Sequence, residues 1–263
     1  MSFASTTRRA ALIAPLIAPL IAPLIASLLC CLAAVPVLLP STALAATQGS
    51  GKAATETRAL PAFQAISLNG AMDLVVRQGD LQSVQVQADD NLLPMLETNV
   101  ETTSQGATLQ VRWKRGEWLN SRSKVLVTVV VPKLVSLAAS GSGDMKVESF
   151  TTPALQVSLS GSGDAKLVGL STEELGIRIS GSGDVGGSGK ATKLKVSIAG
   201  SGDVRLADMR ADDVTVKIAG SGDAAVNAQK TLDVSIAGSG DVSYVGNAAL
   251  KGSVAGSGSV TKK

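Results

Sequence analysis

Leu194-Lys195-Val196-Ser197-Ile198-Ala199-Gly200-Ser201-Gly202-Asp203-Val204-Arg205-Leu206 alternates two kinds of residue. Leu194, Val196, Ile198, Gly200, Gly202, Val204 and Leu206 share one parity; Lys195, Ser197, Ala199, Ser201, Asp203 and Arg205 share the other. Successive side chains of an extended strand point to opposite faces. The stretch therefore reads as strand, with one aliphatic face that carries two glycines in its middle and one small, polar face. Leu155, Val157 and Leu159 before Gly161, and Val214, Val216 and Ile218 before Gly220, repeat the pattern.

The tetrapeptide at its centre, Gly-Ser-Gly-Asp, occurs six times, in steps of 20, 20, 19, 20 and 18 residues. The copies supply Gly141, Gly143 and Asp144; Gly161, Gly163 and Asp164; Gly181, Gly183 and Asp184; Gly200, Gly202 and Asp203; Gly220, Gly222 and Asp223; and Gly238, Gly240 and Asp241. An altered copy, Gly-Ser-Gly-Ser, begins at Gly256, and Asn69-Gly70-Ala71-Met72-Asp73 is a degenerate early one. A fixed period in this range marks a stacked repeat whose units bury their apolar faces only against neighbours. The expected fold is all-β: a right-handed parallel β-helix, or β-solenoid, with about 18–20 residues per coil in the C-terminal half and an irregular β part before it.

The inward glycines admit two structural readings. Either the strand bends there in a conformation closed to other residues, or the opposite wall of a flattened coil comes too close for a Cβ. A phosphate-cradling loop is disfavoured, because strand pattern and not a helix follows each motif.

Upstream, alternating runs at 63–68, 72–77, 82–88, 107–113 and 124–131 read as strands, and Asn91 to Thr98 has room for one helical turn. The expected organisation is a linker over 46–62, a β-helical domain over 63–255 (irregular to 135, repeats from 136) and a C-terminal cap over 256–263. Residues 1–45 read as an export signal: Arg8-Arg9, a long apolar run, and Ala43-Leu44-Ala45 as a small-x-small cleavage pattern. Pro15, Pro19, Pro23 and Pro36 interrupt the run and argue against a retained span. Cys30 and Cys31 both lie in this segment, so the exported chain has no disulfide to rely on.

Beyond the signal, 22 basic residues face 21 acidic ones, and nucleic acid is not an expected partner. Histidine is absent, which removes the commonest general base and metal ligand. Phe63, Trp113, Trp118, Phe150 and Tyr244 are the aromatics of the exported part, so the core must be aliphatic.

Phe63-Gln64-Ala65-Ile66-Ser67-Leu68-Asn69-Gly70-Ala71-Met72-Asp73-Leu74-Val75-Val76-Arg77-Gln78-Gly79, then Val84 to Asp89, then serial Gly-Ser-Gly-Asp, resembles the bacterial putative autotransporter-adhesin head, or GIN, domain, formerly a family of unknown function. The resemblance covers about residues 63 to 255 and implies an exported, single-domain β-helix from bacteria with an outer membrane.

Three features carry candidate chemistry. The motif aspartates should stack one per coil, ~4.8 Å apart, with a mutual repulsion of about 1 kcal/mol in water. Backbone amides at the turns, with Lys146, Lys166 and Arg205 two residues on, would offset it. The other reading is a row of Ca2+ sites, which the spacing of the motif fits poorly; no cofactor or metal is expected. Catalytic carboxylates are not expected either: the aspartates repeat identically, a catalytic site would make one coil special, and no coil is special. Second, Arg112, Trp113, Lys114, Arg115 and Trp118, with Arg122 and Lys124 following, form a candidate patch for an acidic glycan or lipopolysaccharide, or else a hairpin turning at Arg115-Gly116 whose tryptophans cover a solenoid end. Third, Ser140, Ser160, Ser180, Ala199, Ala219, Ala237 and Ala255 before the motifs, with Ser142, Ser162, Ser182, Ser201, Ser221, Ser239 and Ser257 within them, make an outward strip of small side chains.

The functional reading is a non-enzymatic, exported binding or adhesion module of the periplasm or cell surface, meeting an envelope glycan or protein. It has no membrane span once the signal is removed. The alternative is an envelope structural protein that self-assembles as a homo-oligomer through the Ser/Ala strip. A polysaccharide-active enzyme is the remote third reading.

Overall fold

A computed structural model of the chain describes residues 46–116 and 119–263, all within one compact unit, Leu44–Lys263. The export signal read over 1–45, and Trp118 of the basic patch, lie outside the described residues. One 3-10 turn, Leu93–Met95, falls inside the segment expected to hold a helical turn. No helix among the described residues is long and apolar enough to cross a membrane.

The repeats form a parallel β-solenoid. Extended segments of 15–17 residues, Ala165–Gly181, Val185–Gly200, Val204–Gly220 and Ala224–Gly238, run from one motif to the next. Each lies in parallel register on its neighbour, so identical positions stack. Leu155, Leu175, Leu194, Val214 and Leu232 form one inward row; Val157, Ile177, Val196, Val216 and Val234 form a second; Leu159, Ile179, Ile198, Ile218 and Ile236 form a third. All fifteen side chains are buried. Where the step between motifs changes, the register slips between Leu167 and Leu170, Gly186 and Ser188, or Leu206 and Arg210, away from the motif corner. The motif corner itself never slips.

Both glycines of the motif are explained by the adjoining coil. The first, from Gly141 to Gly256, has φ between 137° and 141°, a conformation that side chains rarely adopt. The second, such as Gly163 or Gly222, lies buried with ordinary backbone; a Cβ there would run into the carbonyl of Gly143 or Gly202 one coil earlier. Strand bending and the adjoining coil together account for the first glycine, since a Cβ at Gly161 would also run into the carbonyl of Gly141. The close approach at the second comes from the preceding coil of the stack, not from the opposite wall.

The N-terminal part is less irregular than expected. Ala65–Asn69 and Asp73–Gln78 form a true coil, with Gly70 at its corner (φ 125°). This coil is sandwiched. Ser136–Gly141 and Met145–Glu148 stack on one side of it; Gly106–Trp113 and Leu126–Val131 stack parallel on the other, although they come later in sequence than the coil they cover. Antiparallel strands Leu96–Thr103 and Ser83–Asp89 then close that end. Residues 46–62 are not a free linker: Ala53–Thr57 pairs with Ser83–Asp89 and Thr47–Gln48 pairs with Leu119–Asn120. Their anchor is Asp89, fully buried. It accepts hydrogen bonds from the amides of Gly51, Arg122 and Ser123 and the hydroxyls of Ser121 and Ser123. Burial works to raise its pKa, but the hydroxyls and amides outweigh it and hold the carboxyl well below the usual carboxylate range.

Candidate functional site

The motif turn delivers one aspartate per coil to the same edge of the solenoid, and the aspartates bond to one another's backbone. The amide of Asp144 donates to Oδ1 of Asp73 at 3.0 Å. Asp164 donates to Asp144, Asp184 to Asp164, Asp203 to Asp184, Asp223 to Asp203 and Asp241 to Asp223, at 2.8–3.1 Å. Ser259 ends the series, giving its amide and hydroxyl to Asp241. Charge-assisted bonds of this kind are about twice as strong as neutral ones, and they offset the repulsion within the row. The donor amide belongs to the neighbouring coil, not to the aspartate's own turn.

The basic residues divide differently from the expected pairing two residues on. Arg205 does bridge two rungs, 2.7 Å from Oδ2 of Asp184 and 2.8 Å from Oδ2 of Asp203; these bonds, Asp184 first, raise its pKa. Lys146 turns instead to Glu148 at 2.6 Å, which Arg77 also reaches at 2.7 Å. Lys146 and Arg77 together lower the Glu148 pKa to about 2. Lys166 forms no ion pair among the described residues. Lys124, from the N-terminal part, supplies the partner of Asp73 at 2.5 Å, and its own pKa is raised by that bond. Oδ1 is thus used throughout, whereas Oδ2 of Asp144, Asp164, Asp223 and Asp241 has no donor among the described residues. The rungs are spread one per coil, and no group of three acidic side chains converges among the described residues as a cation site would require.

Beside the ladder runs an open groove of about 800 Å3, bounded by Lys124, Lys146, Lys166 and Arg205 with the rungs Asp73 to Asp184. Its floor marks one coil as different from the rest. The outward row two residues after each aspartate, and after Ser259, reads Val75, Lys146, Lys166, Gly186, Arg205, Ala225, Ser243 and Thr261. Gly186 leaves a gap between Lys166 and Arg205; a Cβ there would meet nothing nearer than the Arg205 carbonyl at 3.9 Å. Gly187 takes the inward place that Leu167 and Leu206 hold in the adjoining coils, where a Cβ would press to 2.7 Å from the Leu167 carbonyl. The expectation that no coil stands out holds for the motif and fails here. The run Gly186-Gly187-Ser188-Gly189, where neighbouring coils carry large side chains, was the signal available for it. A second hollow of about 520 Å3 continues past Arg205 along Asp223, Asp241 and Ser259.

Among the described residues, the basic patch does not assemble into one surface. Arg112 turns outward to Glu97 (3.1 Å) and Glu101 (3.8 Å) of the antiparallel neighbour strand. Trp113, on the opposite parity, is half-buried against the core beside Gly70. Lys114 and Arg115 are exposed at the turn of Gly116 (φ 84°). That turn is not a hairpin: Gly106–Trp113 pairs with the strand before it, and Leu119–Asn120 pairs with Thr47–Gln48. The Ser/Ala strip, from Ser140 to Ala255 and from Ser142 to Ser257, lies wholly exposed. Asp89 was missed altogether, because its five donors come from loops 32 to 38 residues away.

A sequence model of the family described as putative auto-transporter adhesin, head GIN domain, matches residues 62–248. No curated protein sequence matches the chain. Among solved structures, the chain is similar to a putative adhesin from Bacteroides fragilis (TM-score 0.77, 24% identity, 82% of this chain and 100% of that one). It is also similar to a putative lipid binding protein from Parabacteroides distasonis (0.69, 24%, 83% and 100%) and to a putative adhesin from Parabacteroides merdae (0.61, 24%, 82% and 98%). At this identity the likeness is one of fold.

Proposed function

Because the chain belongs to the putative auto-transporter adhesin, head GIN domain family, we propose that it is an exported, non-enzymatic binding module of the bacterial cell envelope that takes an envelope glycan along its aspartate ladder. The groove over Gly186 carries this reading. It is open along the stack, floored by a residue without a side chain, and edged by carboxylate oxygens and ammonium groups. Sugar hydroxyls both donate and accept. They suit the free Oδ2 atoms of Asp144 and Asp164 on one side and Lys166 on the other. Adhesin-type folds and an apolar leader over residues 1–45 support placement in the periplasm or at the cell surface.

A glycan array probed with the protein tests the reading, with Gly186→Tyr as the control. Gly186 has room for a side chain and lacks a positive φ, so the variant should fold as the parent does and lose the glycan signal. Retained binding would remove the groove from consideration, and an array without any parent signal would remove the glycan.

A second reading, self-assembly through the Ser/Ala strip, is favoured by the exposure of all its members. Small side chains let a flat partner approach closely. The double substitution Ala219→Arg with Ala237→Arg should split an oligomer held by that face while leaving the coils folded.

A further inference from the structure

Leu250 and Val254 are 46% and 42% exposed, yet they occupy inward rows that are buried in the preceding coils. They continue the stacks that end in Leu232 and Ile236, and Gly252 follows Val234. All eight residues of Ala249–Gly256 are exposed. The strand pairs with Ala224–Gly238 on one side and with no strand on the other among the described residues. An open, apolar strand edge is a template for another strand.

What the edge accepts is written in its own order. Read antiparallel about Gly252, the strand complements itself: Ala249 meets Ala255, Leu250 meets Val254, Lys251 meets Ser253, and Gly252 meets its own copy. Like charges never oppose. A two-fold axis normal to the sheet keeps both inward faces on the same side, so Leu250 and Val254 of each copy cover those of the other. A further coil in the same sense fits less well. Ser259 spends its amide and hydroxyl on Asp241 and offers no carboxylate to the amide of a next rung. Lys262 and Lys263 charge the neighbouring strand against unspecific addition.

We propose that Ala249–Gly256 joins the same strand of a second copy in an antiparallel, two-fold dimer centred on Gly252. An interface of this kind is isologous and closes at two copies. Pairing with the strand edge at the other end, Leu96–Thr103, would be heterologous and grow into a polymer instead. The dimer does not depend on the glycan reading, nor on the Ser/Ala strip.

Sedimentation of residues 44–263, the compact unit with its own core, tests it across a concentration series. The expected result is a reversible monomer–dimer equilibrium. Ser253 is exposed and faces Lys251 of the partner copy only in this register. Two symmetric cross-strand contacts change at once, so Ser253→Lys should weaken the dimer roughly tenfold and Ser253→Glu should tighten it. Val254→Lys, checked for folding by circular dichroism, should be monomeric. A parent that stays monomeric overturns the proposal, as does one that forms a series of larger species. A dimer indifferent to both Ser253 substitutions places the contact elsewhere and overturns it too.

Discussion

The main-chain amide of Asp184 donates to Oδ1 of Asp164 across 2.9 Å, joining two residues twenty positions apart in sequence. The carboxylate therefore does more than decorate a turn: it carries the hydrogen bonding of one coil into the next at the corner, where the chain turns between walls. The carbonyl of Asp184 in turn receives the amide of Ala165 at 2.8 Å, so each rung is tied to its neighbour through side chain and main chain.

Removing one rung should cost the rung bond and little else. Asp164→Ala takes away the acceptor of the Asp184 amide, a loss of about 1–2 kcal/mol. Asp164→Asn keeps an oxygen in place and should recover most of it. Denaturant midpoints of the two variants against the parent measure the difference; equal midpoints would make the ladder decorative.

Calcium is not expected to support the fold. The rungs already accept main-chain amides, and Arg205 and Lys124 form ion pairs with three of them. Thermal melts with and without a chelator should agree within a degree or two. A fall of tens of degrees on chelation would assign the free Oδ2 atoms to a metal, since a structural ion contributes folding free energy directly.

The two kinds of glycine should part company under substitution. Gly222→Ala drives a Cβ into the Gly202 carbonyl and should cost at least 1–3 kcal/mol, as overpacking does. Gly186→Ala enters open space and should be neutral, or stabilising by a few tenths of a kcal/mol to about 1 through the unfolded chain. Chemical denaturation of both variants checks the contrast, and similar losses at both sites would contradict the coil-to-coil account.

The contrast also shows what was legible in advance. Parity placed Leu194, Val196 and Ile198 inside and Ser197 and Ala199 outside, because alternation is local and is restated in every coil. The aspartate row and the glycine corner followed from the same repetition. The order of stacking at the N-terminal end was not legible: nothing in Leu126–Val131 says that it covers Asp73–Gln78 from outside while Met145–Glu148 covers the same strand from within the stack. Both neighbours are alternating β sequence, and only the complete set of pairings chooses between them. The Lys124–Asp73 pair and the Asp89 anchor fail for the same reason, since each joins segments that no period relates. Gly186 is the opposite case, a local departure from the period hidden by attention to the motif.

Asp89 gives the protein a specific sensitivity to acid. Its carboxylate is buried and takes five hydrogen bonds from the strand and loop segments around Gly51, Ser121, Arg122 and Ser123. Its folded-state pKa lies well below the ordinary value of 3.8. A depressed carboxylate contributes stability that is fully present above the unfolded pKa and is lost as pH falls toward the folded one. The loss therefore begins below about pH 4 and continues downward. Glu148, a half-buried carboxylate held at about 2 by the exposed Lys146 and Arg77, adds to the same slope. Asp89→Asn should lower the denaturant midpoint at pH 7, because an amide NH2 replaces one acceptor oxygen among donors. It should also flatten the decline between pH 5 and pH 2.5 relative to the parent, whereas Glu148→Gln should flatten it less. The Asp89 variant should release the segment first: amide hydrogen exchange in Ala53–Thr57 should rise while exchange in Val204–Gly220 stays slow. A parent and an Asp89→Asn variant with parallel acid profiles would show that the carboxylate is not charged in the way its five donors require.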